Sequence, residues 1–157
     1  MKKKLVGLSK KKSVRELFKY GLVGLVGLVI DAGVFYLLTK KLSVEYPFSP
    51  QIRELLGGKM SISLINADVS HVISSILAIT NNFILNSYFT FKVTDNKVKR
   101  FFTFAGVATI GLIISTTLMT IFMGKMHLDE MVAKILSIII VAAMQFAINK
   151  FFTFKKR

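Results

Sequence analysis

Between Phe101 and Met123 the chain runs for 23 residues without one charged side chain. As a helix, such a run is about 35 Å long, more than the roughly 20 apolar residues needed to cross a bilayer. A soluble helix of that length would need apolar cover on every face. Three further stretches, about 19–39, 69–91 and 131–154, have the same character and few charges. The chain is therefore expected to be an all-α polytopic membrane protein with four transmembrane helices.

The charges support this and add an orientation. The chain is 53% hydrophobic yet carries a net charge of +14. Sixteen of its 22 Lys and Arg lie in Lys2–Lys19, Lys92–Arg100 and Lys150–Arg157, accompanied by only Glu16 and Asp95 among the acids. The other two loops hold Glu45, Glu54, Asp68, Asp129 and Glu130. By the positive-inside rule the N- and C-termini are cytoplasmic. Residues 1–14 read as a basic cytoplasmic tail, flexible over Lys2–Lys12 and resting on the anionic inner leaflet. Basic patches that flank apolar spans are topology signals, so nucleic acid is not an expected partner. Asp31 interrupts the first apolar stretch and no A-x-A site follows, which argues against a cleaved signal peptide. The chain has no Cys and two His without ligand spacing, so neither a metal nor another cofactor is expected.

The chain also writes one phrase twice. NNFILNSYFTFK (Asn81–Lys92) and MQFAINKFFTFK (Met144–Lys155) superpose at an offset of 63, with Asn82 on Gln145, Asn86 on Asn149, His71 on Lys134 and Ser74 on Ser137. An offset of 84 lays the first span on the third, with Tyr20 on Phe104, Gly27 on Gly111 and Asp31 on Ser115. The difference of 21 is an insertion in the first external loop, Leu42–Ser63. A two-helix unit returns the chain to its starting side, so the halves are expected to be two parallel two-helix repeats.

Polar groups inside the spans are costly and therefore informative. His71, Ser74, Ser75, Asn82 and Asn86 recur at helical spacing on the second span, and Lys134, Ser137, Gln145 and Asn149 repeat the stripe on the fourth. Two readings stay open for the amides: helix-to-helix hydrogen bonds, or a polar track for a ligand. Asp31 is the one acid deep within a span, in its outer half. Lys134 is its expected partner and His71 the second, as a structural ion pair or as a charge cluster for an anionic headgroup. The aromatic ends of both phrases read as interface belts. Lys92, Arg100 and Lys150 beside them are candidate contacts to lipid phosphates, at about 1 kcal/mol each.

Phe18-Lys-Tyr-Gly-Leu-Val-Gly, Ile30-Asp31 and the doubled Asn-x-x-x-Asn…Phe-Thr-Phe phrase resemble the GtrA-like family of small four-span membrane proteins, over about Arg15–Arg157. Where that family commonly has Arg after the Asn, this chain has Ser87 and Lys150, and Phe replaces the common Trp. The resemblance implies a GtrA-like transmembrane domain over 15–157, in the cell inner membrane, serving cell-envelope polysaccharide synthesis. Two functions follow from it. One is a translocase (flippase) for polyprenyl-phosphate-linked sugars, with Asp31, His71, Asn82, Asn86, Lys134, Gln145 and Asn149 as substrate-binding residues. The other is a non-transporting anchor or partner subunit for a polyprenyl-phosphate glycosyltransferase. No nucleophile with a base, paired acids or metal set is present, so an enzyme is not expected. Four short helices enclose little volume, which suggests a homo-oligomer.

Overall fold

The computed structural model describes residues 2–155, with side chains from Lys11 onward apart from Met119, Glu130 and Met131. The described residues form five α-helices and no strand: α1 (Lys2–Tyr36), α2 (Ser49–Leu55), α3 (Ile62–Leu85), α4 (Lys97–Gly124) and α5 (Glu130–Ile148). Four are long and apolar enough to span a bilayer, over Lys11–Lys41, Ile62–Thr90, Lys97–Gly124 and Val132–Thr153. The multi-pass class expected from the sequence is the one observed. Leu28, Val29, Leu112 and Ile113 stand outward and exposed, as lipid-facing residues of spanning helices do.

Helix α1 is already helical at Lys2, where the charge run suggested a flexible tail. Lys and Leu favour helix, the segment contains no Pro, and its single Gly7 costs only about 1 kcal/mol within a helix. The first loop is more ordered than an insertion need be. Pro50 starts α2 near its N-terminus, where its missing N–H costs nothing. Gly57 and Gly58 then adopt φ of +65° and +75° and return their N–H groups to Glu54 O and Arg53 O, each at 2.9 Å. That left-handed ending is open to glycine without strain. The loop is tied to α3 by Asn66, whose Oδ1 accepts from Tyr46 N at 3.3 Å and from the buried Ser49 hydroxyl at 2.5 Å.

Helices α1, α3 and α5 each finish in one π-helical turn, at Leu37–Lys41, Asn86–Thr90 and Asn149–Thr153. The last two are the same residues of the doubled phrase. In them Phe91 N reaches back to Asn86 O at 2.9 Å, and Phe154 N to Asn149 O at 2.7 Å. The wider turn carries the aromatic phrase to a second face. Phe91 and Phe154 are buried and stack with centroids 4.7 Å apart at 15°. Phe89 and Phe152 remain exposed. One aromatic of the three in each run is thus core rather than interface belt, a correction to the sequence reading caused by the extra residue in the turn.

The chain divides into two compact units, one of Gly24–Asn82 and one of Met1–Val23 with Phe83–Arg157.

Candidate functional site

In the unit of Gly24–Asn82, α1 and α3 hold Asp31 by hydroxyls. Its Oδ1 accepts from Ser74 Oγ at 2.6 Å and from Ser75 Oγ at 3.3 Å. Ser74 is fully buried and also donates to His71 O within its own helix. His71 meets the edge of Phe35 at a centroid distance of 6.0 Å. Serine donors are what a carboxylate in a low-dielectric helix contact needs, because each hydrogen bond replaces a lost water. One turn of α1 before Asp31, Gly27 has the Asn82 amide directly against it: a Cβ at this position would overlap Asn82 Nδ2, Oδ1 and Cγ. Lys134 belongs to the other unit and is exposed; its pairing with Asp31 stays an expectation.

In the unit containing Phe83–Arg157 the second amide repeats that arrangement. A Cβ at Gly111 would overlap Gln145 Nε2 and lie 3.1 Å from Val141 Cγ1, and Gln145 Nε2 donates to Val107 O at 3.4 Å. Asn149 is buried; its Nδ2 donates to the Tyr20 hydroxyl at 2.9 Å and its Oδ1 accepts from Thr153 Oγ1 at 2.8 Å. Tyr20 also packs against Phe91 and Phe146. Asn86, the matching residue of the first phrase, is equally buried, but its Oδ1 and the Thr90 hydroxyl have no hydrogen-bond partner. The same two residue types are joined in one copy and unjoined in the other.

The three candidate phosphate contacts have different surroundings. Arg100 is buried, and its guanidinium is spent within the protein. Nε donates to Asp95 O at 2.9 Å, Nη1 to Thr153 O, and Nη2 to Lys155 O at 3.0 Å and to the Asp95 carboxylate at 2.8 Å. This guanidinium holds the exposed Asp95 carboxyl below the usual carboxylate range. Lys150 pairs with Glu16 at 2.8 Å and donates to Ser13 Oγ at 2.6 Å. Lys92 is exposed, adopts φ of +55° at the end of the first phrase, and lines a cleft of about 510 Å³ with Lys12, Arg15, Lys19 and Thr90.

Tyr20, Thr90, Thr153 and the α1 cations of this cleft were not singled out from the sequence. The repeat carried a usable signal for Tyr20, since a hydroxyl stands there where the third span has Phe104. For Arg15 and Lys19 it did not, because a basic run flanking a span reads as topology whether or not it surrounds a cleft. Among the described residues no group of three or more His, Asp or Glu could hold a metal ion.

The sequence matches the family described as GtrA/DPMS, transmembrane domain, over residues 19–154. No curated protein and no solved structure matches it.

Proposed function

The chain belongs to the GtrA/DPMS transmembrane-domain family, a membrane protein of polyprenyl-phosphate sugar processes, and from that premise we propose that it translocates polyprenyl-phosphate-linked sugars. The observation that carries this reading is the set of buried acceptors without partners: Asn86 Oδ1 and Thr90 Oγ1 in one unit, Asn82 Oδ1 in the other. All stand on helices of bilayer length. There, water is not at hand to satisfy them, and an unpaired polar atom is costly. Sugar hydroxyls are donors of matching chemistry. The lipid tail stays in hydrocarbon while the hydroxylated headgroup exchanges its water for amide oxygens. Asn and Gln suit a passing headgroup because they bind it without a net charge that would trap it.

In this reading Asn82, Asn86, Gln145 and Asn149 form the polar track, and Asp31, His71 and Lys134 bind the anionic part of the headgroup nearer the outer leaflet. The protein works in the inner membrane as a homo-oligomer, without a catalytic step of its own. The test is headgroup transfer in proteoliposomes by wild type and by Asn86→Ala/Asn149→Ala, with the melting temperature of each. The expected result is a double variant that inserts and remains folded but no longer transfers. Normal transfer by that variant removes the role of these amides. Absence of transfer by wild type, together with capture of a polyprenyl-phosphate glycosyltransferase, identifies a partner subunit instead.

A further inference from the structure

The doubled phrase leaves a cleft at matching places in the two copies, and the two have opposite fates. Offsets of 84 and 63 carry Lys12 to Asn96, Arg15 to Lys99, Glu16 to Arg100, Lys19 to Thr103, Thr90 to Thr153 and Lys92 to Lys155. The first set lines the cleft of about 510 Å³ and the second a cleft of about 300 Å³. In the second, Arg100 donates to Thr153 O, to Lys155 O and to Asp95, and the Thr153 hydroxyl is taken by Asn149. The Arg100 guanidinium and the Thr153 hydroxyl are thus both used internally, which leaves Lys99 and Lys155 as the remaining cations of the second cleft. In the first, a carboxylate stands where Arg100 would be, and Lys150 neutralises it at 2.8 Å.

What remains around the first cleft is unbalanced positive charge. Among the described residues, none of Lys11, Lys12, Arg15, Lys19 and Lys92 has a carboxylate partner. Lys11, Arg15 and Lys19 recur every four residues on one face of α1, a spacing at which like charges repel. Thr90, 5% exposed, lines the cleft with a hydroxyl that donates to nothing. We propose that this first cleft binds a phosphate or diphosphate group, while its twin is sealed by Arg100. Such an anion accepts charge-assisted hydrogen bonds from Arg15, Lys19 and Lys92 and one from the Thr90 hydroxyl. Lys19 already donates to Phe89 O at 3.3 Å, and its ammonium has two further protons to offer. The group can be free in solution or carried by a polyprenyl lipid. Only the lipid source rests on the function proposed above.

The test uses the full chain in phosphatidylcholine nanodiscs with two probes. Polyprenyl phosphate is compared with the matching polyprenol by native mass spectrometry, and inorganic diphosphate is titrated by calorimetry. The phosphate lipid is expected to be retained over the alcohol. Arg15→Gln/Lys19→Gln/Lys92→Gln should lower retention roughly tenfold, while Lys99→Gln/Lys155→Gln leaves it unchanged. Diphosphate binding that the triple substitution abolishes shows that the cleft also takes free phosphate; retention of the lipid alone shows that the bilayer must present it. Both sustain the proposal. Equal retention of the alcohol, a triple variant that binds both probes as wild type does, or equal loss in the second-cleft pair overturns it. Should the triple variant not fold, Thr90→Val and a salt titration decide: retention unchanged by either defeats the idea. Normal binding without transfer in proteoliposomes removes translocation and leaves the anion site standing.

Discussion

At Gly27 and Gly111 the chain has no room for a side chain, and in both places the obstacle is an amide. The two are not equivalent in cost. At Gly27 three atoms of a short side chain, Asn82, lie where a Cβ would be, whereas at Gly111 the overlap is with the flexible end of Gln145. Gln145 can swing away at the expense of a 3.4 Å hydrogen bond; Asn82 must change rotamer or move its helix. Gly27→Ala is therefore expected to destabilise by about 1–3 kcal/mol, as overpacking does, and Gly111→Ala by less. Gly24→Ala, with nothing within 4 Å, should be neutral or stabilise by up to about 1 kcal/mol through helix propensity and serves as the control. Thermal unfolding in detergent measures all three. Adding Asn82→Ala to Gly27→Ala should recover part of the loss, a coupling expected only for residues in contact.

Among the elements, the π-helical ends of α3 and α5 are stabilised differently although their residues match. The end at Asn149–Thr153 is held by Arg100, which donates to its last carbonyl, Thr153 O, and to Lys155 O just beyond it. Replacing Arg100 by Met should cost about 1.5–3 kcal/mol, the range for hydrogen bonds to a charged group, and should loosen this end first in hydrogen exchange. Asp95→Asn should cost less, because the carboxylate is half exposed and solvent screens it. The pH dependence has a definite sign. The folded Asp95 value is lowered, so its contribution is complete above the unfolded carboxyl value of about 3.9 and is lost as pH falls through the folded value. Melting curves of wild type and Asp95→Asn should keep a constant separation near neutrality and converge only in acid. Convergence at neutral pH would exclude the link between Asp95 and Arg100. Π-helical turns are enriched at functional sites, and here one sits beside each cleft.

For the molecule as a whole, the prediction with the widest consequence is topology, because it decides which leaflet the basic cleft meets. The chain has no Cys, so single cysteines report cleanly. Lys59→Cys and Thr94→Cys both fall at exposed positions outside the long apolar stretches. In intact cells an impermeant thiol reagent should label Lys59→Cys, and Thr94→Cys only after lysis. The reverse pattern would put the basic patches outside and remove the inner-leaflet role of Lys92 and Arg15. Lys2–Lys19 carries eight of the cations, each attracted to an anionic leaflet by about 1 kcal/mol, so cytoplasmic termini are the expected result.

The sequence by itself determined the class of this protein, because hydrocarbon admits so few solutions: a run such as Phe101–Met123 without a charge must be a spanning helix. The same text displayed the doubled phrase and the polar stripes, since helical spacing places Asn82 and Asn86, or Gln145 and Asn149, on one face in any helix. It did not determine which amides are occupied. Asn86 and Asn149 look identical on the page, and only the tertiary structure joins one to Tyr20 and Thr153 and leaves the other's carbonyl unpaired. Likewise Arg100 and Lys92 read as two equal basic residues at a membrane edge. Arg100 became an internal tie because the end of α5 brought carbonyls within reach of its fork, whereas Lys92 points at a cleft lined by other cations. Composition and period act along the chain; whether a hydrogen-bonding group is satisfied depends on which distant segment lies about 3 Å away, and that is decided by packing.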